Sequence, residues 1–390
     1  MLSAYKAVVK KEHALSTFGF GMFGRIPLAM NPVALVLLIS ETKDSFAIAG
    51  LASGAYTLTG AIFGPRIGRI ADRIGSQKVL PPITIINFLA VLLVIAFRNG
   101  AEWQIALAAA LAGATFPNFG SYTRTRWSHS IENTKELNTA LSIESVLDEI
   151  AFVAGPALAG ILFAVYAPHT PMAVGLFFLL VGGLGLGYSG APHPVQEEHH
   201  EKHGGLLKIP HFKPLLLSLI FMGCVFGGNT VATLSAAKEA GRSDGGILVA
   251  LYSIGSLVAG TLYGLHHWKS KAGVRYFVAL IIMTLCTSGI VITQNISQLA
   301  YWLILSGFAI SPTLIAGNAF MTELVPPQRL NESFSWLGAA ISIGITIGSA
   351  VNGWIVNQFN AWHGFYFVTA SSALAALCAL LGVASRKEQI

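Results

Sequence analysis

Long runs of apolar residues recur along this 390-residue chain and constrain its fold more than any other feature. A helix needs roughly 20 apolar residues to cross the hydrocarbon core of a bilayer, and the runs have that length. Only 11% of the residues are charged, whereas soluble domains have about a quarter. The sequence therefore predicts an all-α membrane protein with twelve transmembrane helices. They span 14–40, 46–67, 79–97, 103–122, 138–165, 171–189, 214–237, 246–266, 274–293, 298–321, 333–357 and 363–384.

One long polar stretch, 190–213, divides these helices into two sets of six. We expect an N-terminal six-helix bundle over 1–189, a cytoplasmic linker over 190–213 and a C-terminal six-helix bundle over 214–390. The linker histidines, His199, His200 and His203, allow two interpretations, a metal site or a solvated flexible segment. We favour the second and expect no metal, because no rigid element fixes a ligand geometry there.

The two halves resemble each other in their small residues. The second helix carries Tyr56, Gly60, Gly64 and Gly68, and the eighth carries Tyr252, Ser256, Gly260 and Gly264, 196 residues later. The segment GPALAG (155–160) is likewise matched by GSAVNG (348–353), and Pro117 by Pro312. Small residues at every fourth position let helix backbones approach closely. Three matches at nearly one offset indicate an internal duplication, and hence two pseudo-symmetric bundles as in alternating-access transporters.

Basic residues are distributed unevenly between the two sides of the predicted membrane. With the N-terminus inside, nineteen of the 24 lysines and arginines fall in inside segments, four in outside loops, and Arg25 within the membrane. This positive-inside asymmetry predicts that both termini are cytoplasmic, in the plasma (cytoplasmic) membrane. The formal net charge of +6 is thus a topology signal, and we expect no nucleic-acid partner.

The loop after the second helix reads GRIADRIGSQK, from Gly68 to Lys78. It resembles the signature loop of the major facilitator superfamily, with Gln77 in place of one basic residue. The matching positions are Gly68, Asp72, Arg73, Gly75 and Lys78. The resemblance implies a conformational latch, in which Asp72 accepts hydrogen bonds from the start of the eleventh helix and holds the halves in the outward-facing state. The alternative is a turn with topogenic positive charge.

Two further features relate to the family's drug and sugar efflux branch. The segment AGPALAG in the fifth helix partly resembles the antiporter motif, which implies a hinge at Gly155, Pro156 and Gly160; an ordinary packing kink is the alternative. The intramembrane arginine of drug–proton antiporters is absent from the fourth helix, and Asn31-Pro32 stands where an acidic residue precedes proline in some exporters. The coupling mechanism of those exporters therefore does not carry over.

Buried charges in the first and fifth helices are the candidate proton-coupling residues. Glu144, Asp148 and Glu149 lie within the fifth helix, with Asp148 about 14 Å deep at 1.5 Å per residue, and Arg25 has a similar depth. Charges at that depth are costly unless they pair or face water. We expect Asp148 or Glu149 to bind the coupling proton and Arg25 to be its switchable partner. A static ion pair between the two helices, with Glu144 at the cytoplasmic mouth, is the alternative.

The predicted function is secondary active transport of a small organic solute by alternating access, with proton-coupled efflux (antiport) ahead of proton-coupled uptake (symport) of a sugar or metabolite. A non-transporting membrane receptor is a more distant alternative. No catalytic, metal or nucleotide-binding motif occurs, so we expect no enzyme activity and no cofactor. The expected partners are the solute, protons and the lipid bilayer, and we expect a monomer. The predicted substrate-cavity residues are Asn31, Asn118, Tyr122, Asn229, Asn318 and Trp336.

Overall fold

The computed structural model describes residues 6, 8–131, 133–189, 209, 211–265, 268–293, 295–325 and 330–384. These residues form helices and short connections, without a strand among them. The helices are α1 (Ala14–Lys43), α2 (Phe46–Ile74), α3 (Ser76–Ala96), α4 (Glu102–Ala114), α5 (Phe119–Ser130), α6 (Thr134–Val165), α7 (Thr170–Tyr188), α8 (Phe212–Glu239), α9 (Gly245–Leu265), α10 (Ala272–Ile292), α11 (Ile296–Gly307), α12 (Ile310–Leu324), α13 (Leu330–Gln358) and α14 (Ala361–Ala384).

Every predicted transmembrane segment is helical, but eleven rather than twelve stretches of the described chain are long and apolar enough to span a bilayer. The fourth predicted segment accounts for the difference. It consists of α4 and α5, of 13 and 12 residues, which are about 20 Å long at 1.5 Å per residue. Neither alone spans the roughly 30 Å core, whereas the two end to end, about 37 Å, exceed it.

The predictions of single unbroken helices at 103–122 and 298–321 are therefore wrong in detail. The chain leaves the helix between α4 and α5, where Pro117 lacks the backbone N–H that a helix interior requires. Carbonyl oxygens near the end of α4 are satisfied by side chains of neighbouring helices: Thr59 Oγ1 donates to Ala110 at 2.7 Å, and Asn87 Nδ2 donates to Ala112 at 2.6 Å. A corresponding interruption separates α11 from α12, just before Pro312.

Apolar packing follows the two halves of the sequence. One core cluster joins buried side chains from Ile26 to Leu186 and includes a few from α8, α9 and α13, and two others draw on Phe212 to Ala379. The bundle boundaries at 1–189 and 214–390 stay a prediction. The predicted linker, 190–213, lies almost wholly outside the described residues, as do His199, His200 and His203.

The helices alternate in direction, so their connections gather at two ends of the molecule. We call one the closed end; it holds the connections 44–45, 97–101, 166–169, 240–244 and 359–360, together with the end of α10 and the start of α11. The other, which receives the start of α1 and the end of α14, we call the open end.

The two halves contact each other through glycines near the closed end. A Cβ atom added to Gly50 of α2 would lie 2.2 Å from the carbonyl oxygen of Ser349 on α13, and one on Gly160 of α6 would lie 2.7 Å from the Cα of Gly246 on α9. Thr346 Oγ1 also donates to the carbonyl of Gly54 at 3.1 Å. Because no side chain fits between them, the backbones of α2 and α13, and of α6 and α9, lie in direct contact.

Toward the open end the same helices diverge. Gly68 lies farther along the face of α2 that carries Gly50 and Gly54, yet a Cβ atom added to it would meet nothing within 4 Å. The same is true of Gly338 on α13, and Phe334, one turn before it, is exposed. The halves therefore touch at the closed end and separate toward the open end.

Candidate functional site

A cluster of charged side chains lies where α1, α5 and α6 meet. Arg25 of α1 is 1% exposed and donates from Nε to Asp148 Oδ1 at 2.6 Å. Its Nη2 donates to Thr123 Oγ1 at 2.8 Å and also pairs with Glu144. Gly21, one turn earlier, leaves room for the guanidinium, since an added Cβ would lie 2.8 Å from Nη1.

Glu144 lies at the bottom of this cluster, with no exposed side-chain surface. Besides Arg25, its carboxylate accepts hydrogen bonds from Thr123 Oγ1 and from Trp127 Nε1, each at 2.6 Å. Thr123 and Trp127 are four residues apart on α5, so both point to the same side. A buried carboxylate is stable in such a place only with a charge partner and several donors, and Glu144 has both.

Asp148 lies one turn farther along α6 and is 28% exposed. It pairs with Arg25 on one side and with Arg124 of α5, itself 39% exposed, on the other. We call these six residues the Arg25 cluster: Arg25, Thr123, Arg124, Trp127, Glu144 and Asp148. Two guanidinium groups balance two carboxylates, so the formal charge of the cluster is zero.

Arg124 was not among the predicted coupling residues, but α5 continues to Ser130 and brings it alongside Asp148. Glu144 is fully buried, and its placement at the cytoplasmic mouth stays a prediction. The prediction that Arg25 and Asp148 lie at similar depth agrees with their contact. The run Tyr122-Thr123-Arg124 contained the missing signal, a basic residue two positions after a candidate cavity residue.

Glu149 differs from the other two carboxylates of α6. It is half-buried, and no basic side chain of the described residues forms an ion pair with it. Asp148, of the same sign, lies beside it, and its polar neighbour is Ser311 of α12, in the opposite half. Ser311 in turn shares a hydrogen bond of 2.7 Å with Ser256 of α9. Glu149 thus lies at the boundary between the halves.

Three of the predicted substrate-cavity residues are buried and three are exposed. Asn31 Nδ2 donates weakly to Tyr56 Oη at 3.4 Å, while its Oδ1 and both polar atoms of Asn229 lack a protein partner among the described residues. Tyr122 is buried as well. Asn118, Asn318 and Trp336 are exposed. Asn118 has a structural role, since its side chain accepts from the backbone N–H of Ser121 at 3.2 Å and caps α5.

The predicted latch lies at the end of α2 and the start of α3. Gly75 connects the two helices with φ of 92°, a value that favours glycine. Arg73 and Lys78 are exposed, and Gly68 makes no close contact, so the tight helix packing expected of this glycine is not present in this conformation. The side chains of Asp72 and of Asn331 and Glu332, near the start of the predicted eleventh helix, lie outside the described residues, so the latch stays a prediction.

The predicted hinge residues lie in the uninterrupted helix α6. An added Cβ on Gly155 would lie 2.8 Å from the backbone nitrogen of Met30, and Gly160 contacts Gly246. The carbonyl of Pro156 also approaches Gly246. These residues form the packing surfaces of α6 against α1 and α9, and their role as a hinge stays a prediction.

The comparisons with known proteins agree with this geometry. A sequence model of the Major Facilitator Superfamily matches residues 14–262 and 215–389. Macrolide efflux protein A of Streptococcus pyogenes is 20% identical over 374 residues, covering 91% of this chain and 92% of that protein. The uncharacterized MFS-type transporter YfkF of Bacillus subtilis (strain 168) is 23% identical over 266 residues, covering 66% of this chain and 67% of that protein.

Solved structures show the same fold. The nucleoside transporter NupG superimposes with a TM-score of 0.72 at 15% identity, covering 95% of this chain and 98% of that chain. A bacterial homolog of the human lysosomal transporter Spinster, in an inward-facing and occupied conformation, superimposes with a TM-score of 0.69 at 16% identity, covering 95% and 96%. With a family match over nearly its whole length, the chain belongs to the Major Facilitator Superfamily and is a multi-pass membrane transporter rather than an enzyme.

Proposed function

We propose that this transporter exports a small organic solute in exchange for protons, and that Glu149 binds the coupling proton. The observation that carries the proposal is the unequal pairing of three neighbouring carboxylates. Glu144 and Asp148 have guanidinium partners, whereas Glu149 has none among the described residues. The sequence left Asp148 and Glu149 as alternatives, and this difference favours Glu149.

The physical reason is the cost of an unpaired charge at membrane depth. An ionised carboxylate there costs several kcal/mol unless it pairs or faces water. Glu149 is half-buried, beside a second negative charge and a serine hydroxyl. Binding a proton removes both the desolvation cost and the repulsion from Asp148. Because Glu149 lies at the boundary between the halves, its charge state can bias how they pack.

The separation of the halves fits one state of an alternating-access cycle. The asymmetry of basic residues favours a cytoplasmic open end, which supports the proposal that this conformation is inward-facing. Polar atoms of Asn31 and Asn229 without a protein partner, one residue in each half, are then candidates for hydrogen bonds to the solute. With the Arg25 cluster internally neutralised, the site suits a solute that is neutral or weakly charged.

The name of one similar protein favours export over uptake. Macrolide efflux protein A, by its name, exports, and its alignment covers nine-tenths of both chains. The same carboxylates serve transport in either direction, so direction needs its own measurement. We propose a monomer in the plasma membrane, with both termini cytoplasmic.

Proton flux in proteoliposomes tests the coupling. The purified protein is reconstituted with a pH-sensitive dye inside, and sugars, cationic dyes and antibiotics, including a macrolide, are added under an imposed pH gradient. We expect flux with one class of solute, lost in Glu149→Gln and kept in Glu102→Gln, an exposed carboxylate at the start of α4. Undiminished proton flux in Glu149→Gln would contradict the assignment.

Direction is read from labelled solute in vesicles of known orientation. With the cytoplasmic side facing inward and the outside acidified, export predicts faster loss of preloaded solute. Accumulation of solute under the same gradient would instead establish uptake by symport. Glu149→Gln is expected to abolish the gradient dependence in either case while leaving solute exchange without a gradient.

A further inference from the structure

A single lysine joins the two halves at the closed end. Lys238, in the last turn of α8, donates to the carbonyl oxygen of Ser40 at 3.0 Å and to Asp44 Oδ1 at 2.9 Å. Its Nζ also lies 3.8 Å from Glu41 Oε2 and 6.0 Å from the centre of the Phe46 ring. All four contacts belong to the other half of the molecule. We call Lys238, Ser40, Glu41 and Asp44 the Lys238 clamp.

The backbone contact explains why a cation is suited to this position. Ser40 is among the last four residues of α1, whose carbonyl oxygens have no partner within the helix and carry its partial negative charge. An ammonium group with three donors can satisfy one of these carbonyls and pair with carboxylates at the same time. Lys238 thus caps the end of a helix that belongs to the opposite half.

The turn between α1 and α2 holds Asp44 in place. It contains only two residues, and Asp44 adopts a left-handed conformation with φ of 48°, which aspartate tolerates better than most residues. Ser45 caps α2 by accepting from the N–H of Ile48 at 3.4 Å. Both neighbouring helices fix this turn. The carboxylate of Asp44 therefore points toward Lys238 without the entropy cost of ordering a long flexible loop.

We propose that the Lys238 clamp holds the closed end shut, and that its contacts must break before the transporter opens on that side. The other contacts between the halves at this end are close packing of glycines and apolar side chains, which is non-directional, and a hydrogen bond from Thr346. Among the described residues, the clamp holds the ion pairs that join the halves at this end. A cleft lined by Phe163, Leu234 and Arg242 from both halves adjoins Lys238, so water can replace its partners as the halves part.

The molecule provides a matched control for this proposal. Arg242 and Asp244 form an ion pair at 2.6 Å, also at the closed end, but both belong to the C-terminal half; Arg242 is about as exposed as Lys238. Removing this pair changes the surface charge at the same end without removing a contact between the halves. Any effect specific to the clamp must therefore be absent from Arg242→Ala.

Distances between spin labels in the full-length protein in liposomes test the clamp. Labels are placed on Asn99→Cys and Ser243→Cys, two exposed positions in opposite halves at the closed end, in a Cys286→Ala background whose remaining cysteines are buried. Exposed ion pairs contribute up to about 1 kcal/mol, so Lys238→Ala is expected to raise the ratio of long to short distances up to about fivefold. The measurement reads conformation rather than proton flux, so it is independent of the assignment of Glu149.

A charge exchange separates the clamp from a general loss of stability. Lys238→Asp alone is expected to shift the distances at least as far as Lys238→Ala, and adding Asp44→Lys is expected to reverse most of that shift. Arg242→Ala should leave the distances as in the parent. An unchanged distribution in Lys238→Ala, or an equal shift in Arg242→Ala, would overturn the proposal.

Discussion

Replacing Arg25 by methionine tests whether the Arg25 cluster stabilises the N-terminal half. The change keeps most of the side-chain volume but leaves Glu144, which is fully buried, without its cation. Removing one partner of a buried ion pair typically costs about 3–5 kcal/mol, because an uncompensated charge remains. Thr123 and Trp127 still donate to Glu144, and Asp148 still pairs with Arg124, so we expect the lower part of that range, about 3 kcal/mol.

Two further variants test whether the buried charge of Glu144 causes this loss of stability. Arg124→Met removes a cation whose pair with Asp148 is 28–39% exposed, and such exposed pairs contribute about 0–1 kcal/mol. Adding Glu144→Gln to Arg25→Met removes the stranded charge and keeps an acceptor for Trp127. The double variant is therefore expected to recover at least half of the lost stability.

The free energy of unfolding is measured in mixed micelles as the mole fraction of a denaturing detergent rises, with helix content followed by circular dichroism. The reasoning predicts a clear loss for Arg25→Met, a small one for Arg124→Met and partial recovery in the double variant. If Arg25→Met and Arg124→Met lose the same stability, the burial of Glu144 does not determine the energetics, and the account of the cluster given above is wrong.

Three other predictions follow from particular contacts. Gly113→Ala should destabilise the N-terminal half by about 1–3 kcal/mol, because an added Cβ would overlap the carbonyl oxygen of Tyr56. As a control, Gly64→Ala should change the free energy of unfolding little, since an added Cβ there would meet nothing within 4 Å. Trp127→Phe should cost about 1–3 kcal/mol in the same measurement, since it removes a donor to a buried carboxylate. The hydrogen bond from Lys238 lowers the pKa of Asp44 from its ordinary value of 3.8. The contribution of the Asp44–Lys238 pair to the closed end is therefore complete above that pH and is lost as the pH falls further. Label distances at the closed end should accordingly stay constant from pH 8 to 5.

The helices and their pairing into halves were predictable because lipid imposes a simple requirement. Each crossing needs about 20 apolar residues, and each bundle needs small residues where its helices touch, which made the repeat at Gly60 and Gly260 visible in the sequence. The ends of α1 and α7 fall within a few residues of the prediction for the same reason.

Which residues make up the candidate site was less predictable from the sequence. A residue's depth can be estimated from its distance to a helix end, and this estimate placed Arg25 beside Asp148. It failed for Arg124, because the interruption at Pro117 lets α5 extend past the predicted helix end, and no periodicity marks such an interruption. The conformation was not predictable either, since both states of a transporter have the same sequence.

The zero net charge of the Arg25 cluster has an electrical consequence. Each elementary charge moved across a membrane potential of 100 mV changes the free energy by about 2.3 kcal/mol. Two guanidinium groups and two carboxylates that move together carry no net charge, so they add nothing to this free energy. The Arg25 cluster therefore does not make a rocking motion of α1, α5 and α6 sensitive to voltage. With the proposed coupling at Glu149, we expect the current that accompanies transport to report the coupling proton and the charge of the solute rather than the Arg25 cluster.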